Sequence, residues 1–256
     1  MNSFNRSTAM AVVIASMIGT GVFTSLGFQL VDIQSGFPLM MLWVIGGITA
    51  LCGALTYAEL GSTLPRSGGE YNFLTEIYHP AAGFISGWIS ATVGFAAPTA
   101  LAAITFGTYL AAVFPIINPR FAACILVMLL TTVHCTTHRN SGQLQLVFSI
   151  LKVIVIVAFC GLALALVEVA QPVRFLPQPG DGVVMIGGAF AVSLIFVNYA
   201  YTGWNAATYL TNELHEPQRN LPLILTGGTL IVLALYVMIN FTFLYVAPME
   251  AMTGKV

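Results

Sequence analysis

Ile18-Gly19-Thr20-Gly21-Val22-Phe23 decides how this chain is read. The stretch lies at the centre of an apolar run, 8–31, which is long enough to cross a bilayer, since that takes about 20 apolar residues for a hydrocarbon core of about 30 Å. Each glycine inside a helix costs about 1 kcal/mol relative to alanine, and two of them around a β-branched threonine predict an interruption at mid-membrane. Close packing against a neighbouring helix is the other use of such small residues. A second irregular stretch, Tyr199-Ala200-Tyr201-Thr202-Gly203-Trp204-Asn205, sits inside the run 183–210. Glycine, hydroxyls, an amide and aromatic rings together are expensive against lipid, so this stretch is expected to face a cavity. Gly19 and Gly203 are about 184 residues apart, with five spans from one break to the next. Two interrupted helices at matching places in two halves are the sequence pointer to an inverted-repeat transporter.

The composition around these breaks agrees with a membrane protein. Of 256 residues 58% are hydrophobic and 7% are charged, with 8 Lys plus Arg, 9 Asp plus Glu and a formal charge of −1. A soluble domain carries about 25% charged residues, so a water-soluble globular domain is excluded, and a disordered chain lacks this much apolar surface. Eight scattered cations offer no patch for nucleic acid. Cys52, Cys124, Cys135 and Cys160 lie in or beside apolar runs without CxxC spacing and read as small packing residues. Seven runs are expected to span, over 8–31, 38–64, 81–114, 121–138, 144–167, 183–210 and 221–246, in a single transmembrane domain. The first is too long and too glycine-rich for a cleaved signal. Placing the N-terminus in the cytoplasm puts Arg6, Arg66, Arg139 and Arg219 inside, against Arg120, Arg174 and Lys255 outside.

Unwinding a helix frees N–H groups at the start of its second half, which attract a carboxylate, and C=O groups at the end of its first half, which attract an ammonium. A zwitterion fits two such breaks facing each other. At these residues the chain resembles the amino acid–polyamine–organocation (APC) superfamily of permeases. The resemblance is carried by Ile18-Gly19-Thr20-Gly21-Val22-Phe23, by the run from Tyr57-Ala58-Glu59-Leu60-Gly61 through Pro65-Arg66-Ser67-Gly68-Gly69-Glu70-Tyr71, and by Tyr201-Thr202-Gly203-Trp204-Asn205 leading to Glu213-Leu214-His215-Glu216-Pro217-Gln218-Arg219-Asn220. It implies an all-α, polytopic, LeuT-like inverted-repeat fold with helices 1 and 6 broken. The usual core has about ten helices followed by two more, so the second repeat is expected to be incomplete here and the chain to be a fragment or a truncated product.

The resemblance also implies roles. The substrate carboxylate would rest on the N–H groups of Gly19, Thr20 and Gly21, helped by the Thr20 hydroxyl, and the ammonium on carbonyls near Met17, Tyr199 and Thr202. Tyr199 matches an aromatic gate and Asn205 a contact to the substrate side chain; ordinary packing and an interhelical hydrogen bond are their plainer readings. Lys152, deep in the fifth run, needs a partner or a cavity. By resemblance its ammonium takes the place of a sodium ion and bridges helix 5 to broken helix 1, which implies sodium-independent transport, proton-coupled or by exchange. Snorkelling to the surface is the competing reading. Glu59, Arg66, Glu213 and Arg219 would form an inner gate, or serve as interfacial charges.

His134 and His138, four apart, have no acidic partner nearby, so no metal site is expected. No Walker loop, HExxH or GxSxG occurs, so neither an enzymatic reaction nor a cofactor is expected. The expected partners are an amino acid substrate, the lipid bilayer and protons, with the plasma membrane (bacterial inner membrane) as location. The loop 115–119 has no cysteine, so no disulfide-linked heavy subunit is expected. The absence of an acid beside either break favours neutral or hydrophobic substrates over cationic ones. Two other classes fit the span count: a seven-helix receptor or retinal protein, although the last run holds no lysine, and a channel, although no ring of like charges is visible.

Overall fold

The first apolar run folds as two half-helices. In the computed structural model, which describes residues 5–135 and 138–255 and all their side chains except those of 138–141, α1 spans Arg6–Met17 and α2 spans Gly21–Asp32. Between them Ile18 is extended (φ −76°, ψ 92°), and Thr20 opens α2 without capping it through its hydroxyl. The described elements are all helices. Among the described residues, five helical stretches are long and apolar enough to cross a membrane: Arg6–Asp32, Gly36–Thr63, Pro80–Val113, Gly142–Leu166 and Pro217–Val246, with shorter apolar helices at Pro119–His134 and Gly188–Ala200. The side chains of His138 and Arg139 lie outside the described ones.

The chain forms two compact units, 1–67 with 146–256, and 68–145. In the first, α3 (Gly36–Thr63) and α11 (Pro217–Val246) are the central pair. A glycine sets their closeness, since a Cβ on Gly47 would meet the Leu233 side chain at 2.6 Å; a Cβ on Gly53 would meet the Trp204 ring, from the turn after residue 200, at 2.6 Å. The core between them is aromatic. Trp43, Tyr201 and Tyr236 are 0–1% exposed, with ring centroids 5.6 Å apart for Trp43–Tyr236 and 4.9 Å for Tyr201–Tyr236. The same unit holds α8 (His138–Leu166) from residue 146 onward, α9 (Asp181–Met185), α10 (Gly188–Ala200) and α12 (Met249–Met252). Over 183–210 the chain is not one helix. Ile186 and Gly187 separate α9 from α10, and after Ala200 a turn leads into a 3-10 segment, Ala206–Glu213. The turn passes through Gly203 at φ +107°, which L side chains rarely adopt.

The second unit contains α4 (Glu70–Ile77), α5 (Pro80–Ile89), α6 (Ala97–Val113) and α7 (Pro119–His134). A π-helical segment, Ser90–Ala96, joins α5 to α6. Pro98 follows directly; its ring would collide with the carbonyl four residues back in an α-helix, and the wider turn moves that carbonyl away. Asn118 caps α7 by accepting from Arg120 N (3.0 Å) and Phe121 N (3.3 Å).

Candidate functional site

The two breaks lie against each other. A Cβ on Gly203 would stand 2.7 Å from both the carbonyl carbon and oxygen of Ser16 and 3.0 Å from Met17 N, so only glycine lets the second break approach the end of α1. A Cβ on Gly21, where α2 begins, would stand 3.1 Å from Ala200 Cα at the end of α10. Gly19 has nothing within 4 Å of its Cβ position, and both Gly19 and Thr20 are exposed. Gly19 and Thr20 thus lie exposed at the end of α2 where the helix dipole is positive.

The freed carbonyls are largely engaged. The Lys152 ammonium donates to Ala15 O at 3.1 Å and Ile18 O at 2.9 Å, the carbonyls at the end of α1. Three residues earlier on the same face of α8, the Ser149 hydroxyl donates to Ala11 O at 3.0 Å. The Tyr236 hydroxyl, from α11, lies 2.6 Å from Met17 O and 3.1 Å from Ala200 O. One phenol thus touches the ends of both first half-helices. The structure places the carbonyl of Met17, expected to meet an ammonium, beneath this hydroxyl; a carbonyl has two lone pairs and keeps one for a second donor. Tyr199 O accepts from both Thr202 N (3.1 Å) and the Thr202 hydroxyl (2.7 Å), so it is consumed within the turn.

The aromatic residues of the second break separate by role. Tyr199 is 57% exposed, whereas Tyr201 is 1% exposed and donates its hydroxyl to Trp43 O at 2.9 Å. Trp204 packs edge-on against Tyr57 at 4.9 Å. Thr202 is exposed, and Asn205 is half-buried with its carbonyl held by Thr208 N (2.9 Å) and the Thr208 hydroxyl (2.7 Å).

Of the four gate charges, Arg66 and Glu213 lie on segments that meet. Ser67 N donates to Asn212 Oδ1 at 3.3 Å, and Asn212 N donates back to Ser67 Oγ at 2.9 Å, which ties the loop after α3 to the end of the 3-10 segment. Glu59 is exposed in the last turn of α3, where its carbonyl accepts from the Ser62 and Thr63 hydroxyls, and Arg219 is exposed in the first turn of α11. Sequence reasoning missed Tyr236, Ser149, Ser67 and Asn212. Tyr236 left a signal, a phenol in the middle of an apolar stretch, 230–239, whose hydroxyl must find a partner. Ser149 left another, a polar residue one turn from Lys152 on the same face.

This geometry sets the context for the relatives. A family model described as Amino acid permease matches residues 4–255. The chain belongs to the amino acid permease family. The permease is 31% identical over 258 residues to the b(0,+)-type amino acid transporter 1 of Mus musculus, covering 97% of this chain and 52% of that protein. To the Large neutral amino acids transporter small subunit 2 of Mus musculus it is 30% identical over 259 residues, covering 97% and 48%. The Homo sapiens b(0,+)-type amino acid transporter 1 is 30% identical over 244 residues, at 92% and 50%. The permease sequence thus spans about half the length of the curated relatives it matches. Its all-helical build and long apolar helices make it a multi-pass membrane protein.

Proposed function

We propose that the permease moves amino acids across the plasma membrane as a secondary transporter, without sodium and without catalysing a covalent step. The observation that carries this reading is the apposition of the two breaks, with Gly203 against Ser16 and Tyr236 between Met17 O and Ala200 O. Facing half-helix ends present donors to a carboxylate and acceptors to an ammonium on one carbon. The carboxylate takes the N–H groups of Gly19, Thr20 and Gly21, and the ammonium takes the second lone pair of Met17 O together with the Thr202 carbonyl. The exposed ring of Tyr199 covers the bound substrate, and Asn205 reads its side chain.

Lys152 supplies a fixed positive charge where a transported cation would otherwise hold the end of α1, which supports sodium independence and leaves proton coupling or exchange as the driving step. In this reading the helices belong to a LeuT-like inverted repeat, with the N-terminus in the cytoplasm and Glu59, Arg66, Glu213 and Arg219 near the inner mouth. The mouse relative named a small subunit suggests a partner chain; without a cysteine in the loop 115–119, such a partner would not be disulfide-linked there.

A thermal-shift series tests the reading. Neutral amino acids are expected to raise the melting temperature in a saturable way, because a ligand that binds only the folded state stabilises it. The corresponding amines and carboxylic acids, each lacking one pole, are expected to shift it little. Equal shifts from all three classes, or none from amino acids, would sink the proposal.

A further inference from the structure

A cavity of about 380 Å³ opens beyond the far end of α2, and its lining includes Gln34, Ser35, Gln171, Arg174, Gln178 and Glu250. Three segments of the first unit build it, and hydrogen bonds hold them in place. Asp181, 5% exposed, accepts from the Ser35 hydroxyl at 2.7 Å and from Gln178 N at 2.7 Å, which pins the turn after α2 to the loop 171–178. A Cβ on Gly36 would stand 2.8 Å from Arg174 O, so the two backbones meet there. Gln171 N donates to Tyr245 O at 2.9 Å and ties the same loop to the end of α11, just before Pro248 and the α12 residue Glu250. The polar side chains of the walls divide into two sets. Gln178 is spent on structure: its oxygen accepts from Arg174 Nη1 at 3.1 Å, and its amide nitrogen donates to Leu176 O at 3.2 Å and Pro177 O at 3.1 Å. The others are uncommitted. Among the described residues neither Arg174 nor Glu250 forms an ion pair, and the Gln171 side chain has no hydrogen-bond partner. Gln34 donates its amide to Leu30 O and keeps its oxygen.

We propose that this cavity is a second binding site, separate from the two breaks, for a zwitterion of amino acid size whose carboxylate meets Arg174 and whose ammonium meets Glu250. The choice of an amino acid as ligand rests on the transport reading; the cavity and its charges do not. Its volume falls in the range of small-molecule sites, about 300–1,000 Å³. Opposite charges on two walls, not paired with each other, are both satisfied by one zwitterion. A simple cation or anion satisfies one and leaves the other. Arg174 has given one N–H to Gln178 and keeps the rest of a planar fork, the geometry that matches a carboxylate. The free oxygen of Gln34 is a neutral acceptor for the ammonium beside the charged one. Bonds between ionised partners are the strong ones, so the two charged walls carry the affinity. The 12 residues of α2 make a rod of about 18 Å, which keeps this ligand clear of one held at Gly19–Gly21. Bound there, the zwitterion joins α12 to the loop 171–178 across the turn between α2 and α3.

The test is equilibrium binding of labelled leucine to the purified permease in detergent, with the number bound per chain as the readout. Two are expected. Arg174→Gln and Glu250→Gln are each expected to weaken one of them by about tenfold, the scale for losing a hydrogen bond to a charged group, and to leave the other unchanged. The exchanged pair, Arg174→Glu with Glu250→Arg, restores one charge of each sign to the cavity and is expected to recover part of the loss, which a merely structural role would not give. Isoamylamine and 4-methylpentanoate, leucine without one pole each, are expected to compete poorly at this site; competition as strong as leucine's overturns the zwitterion. Leucine binding that neither Arg174→Gln nor Glu250→Gln weakens overturns the second site, and the transport reading stands if Tyr236→Phe weakens it. Binding weakened by the cavity replacements and untouched by Tyr236→Phe overturns the reading at the breaks and keeps the cavity. No bound leucine overturns both.

Discussion

Gly203 carries two constraints at once, a φ of +107° and a backbone neighbour 2.7 Å from where a Cβ would stand. Neither can be relieved by a rotamer change, because the obstacle is the Ser16 carbonyl and not a flexible side chain. Gly203→Ala is therefore expected to cost more than about 2 kcal/mol from strain and overpacking together, read as a fall in melting temperature. An unchanged melting temperature would mean that the breaks are not apposed. Tyr236 is the complementary case, where the loss is of hydrogen bonds alone. Tyr236→Phe keeps the ring against Trp43 and Tyr201 but leaves Met17 O and Ala200 O without its hydroxyl, for about 1–3 kcal/mol. The expected signature is a lower melting temperature together with weaker amino acid binding; a variant with unaltered binding would show that the phenol is only core packing. The sequence already marked Gly203 and Lys152, because glycine at a break and a lone cation in an apolar run violate local rules. Their partners were not legible. Ser16, Ala15 and Ile18 offer only backbone atoms, and a carbonyl freed by a bend has no signature in a string of side chains.

At the scale of the element, the two breaks differ in construction. The first is a short extended link between α1 and α2, and the second is a turn followed by a 3-10 segment. The runs 8–31 and 183–210 signalled an interruption through glycine and polar content. How the second half of the latter would fold was not legible, since Ala206-Ala207-Thr208-Tyr209 has no strong preference between α and 3-10 turns. The end of that segment is fastened by the paired bonds between Ser67 and Asn212. Single replacements Ser67→Ala and Asn212→Ala are each expected to cost about 0.5–1.5 kcal/mol, since each removes one of the two bonds. A melting temperature unchanged by either replacement would contradict the pairing. Arg66 and Glu213 are the chain neighbours of Ser67 and Asn212, whose short polar side chains gave no sign in the sequence that they would bond each other's backbone.

At the scale of the whole molecule, composition alone set the class. With 7% charged residues the chain cannot cover itself for water, and the long apolar helices follow from that scarcity. What composition could not reveal is how α1 is held. Four of its carbonyls and its first side chain are gripped by residues from two other helices, Ser149 and Lys152 on α8 and Tyr236 and Asn220 on α11. Such a grip fixes the position of the first half-helix against both neighbours. The Lys152 ammonium bonds Ala15 O and Ile18 O, and the proposed sodium independence rests on that contact.

Uptake of labelled neutral amino acids into proteoliposomes, with sodium replaced by choline, tests this most directly. Saturable uptake at the same rate in sodium and in choline is expected. No uptake of any amino acid, or uptake that requires sodium, would contradict it.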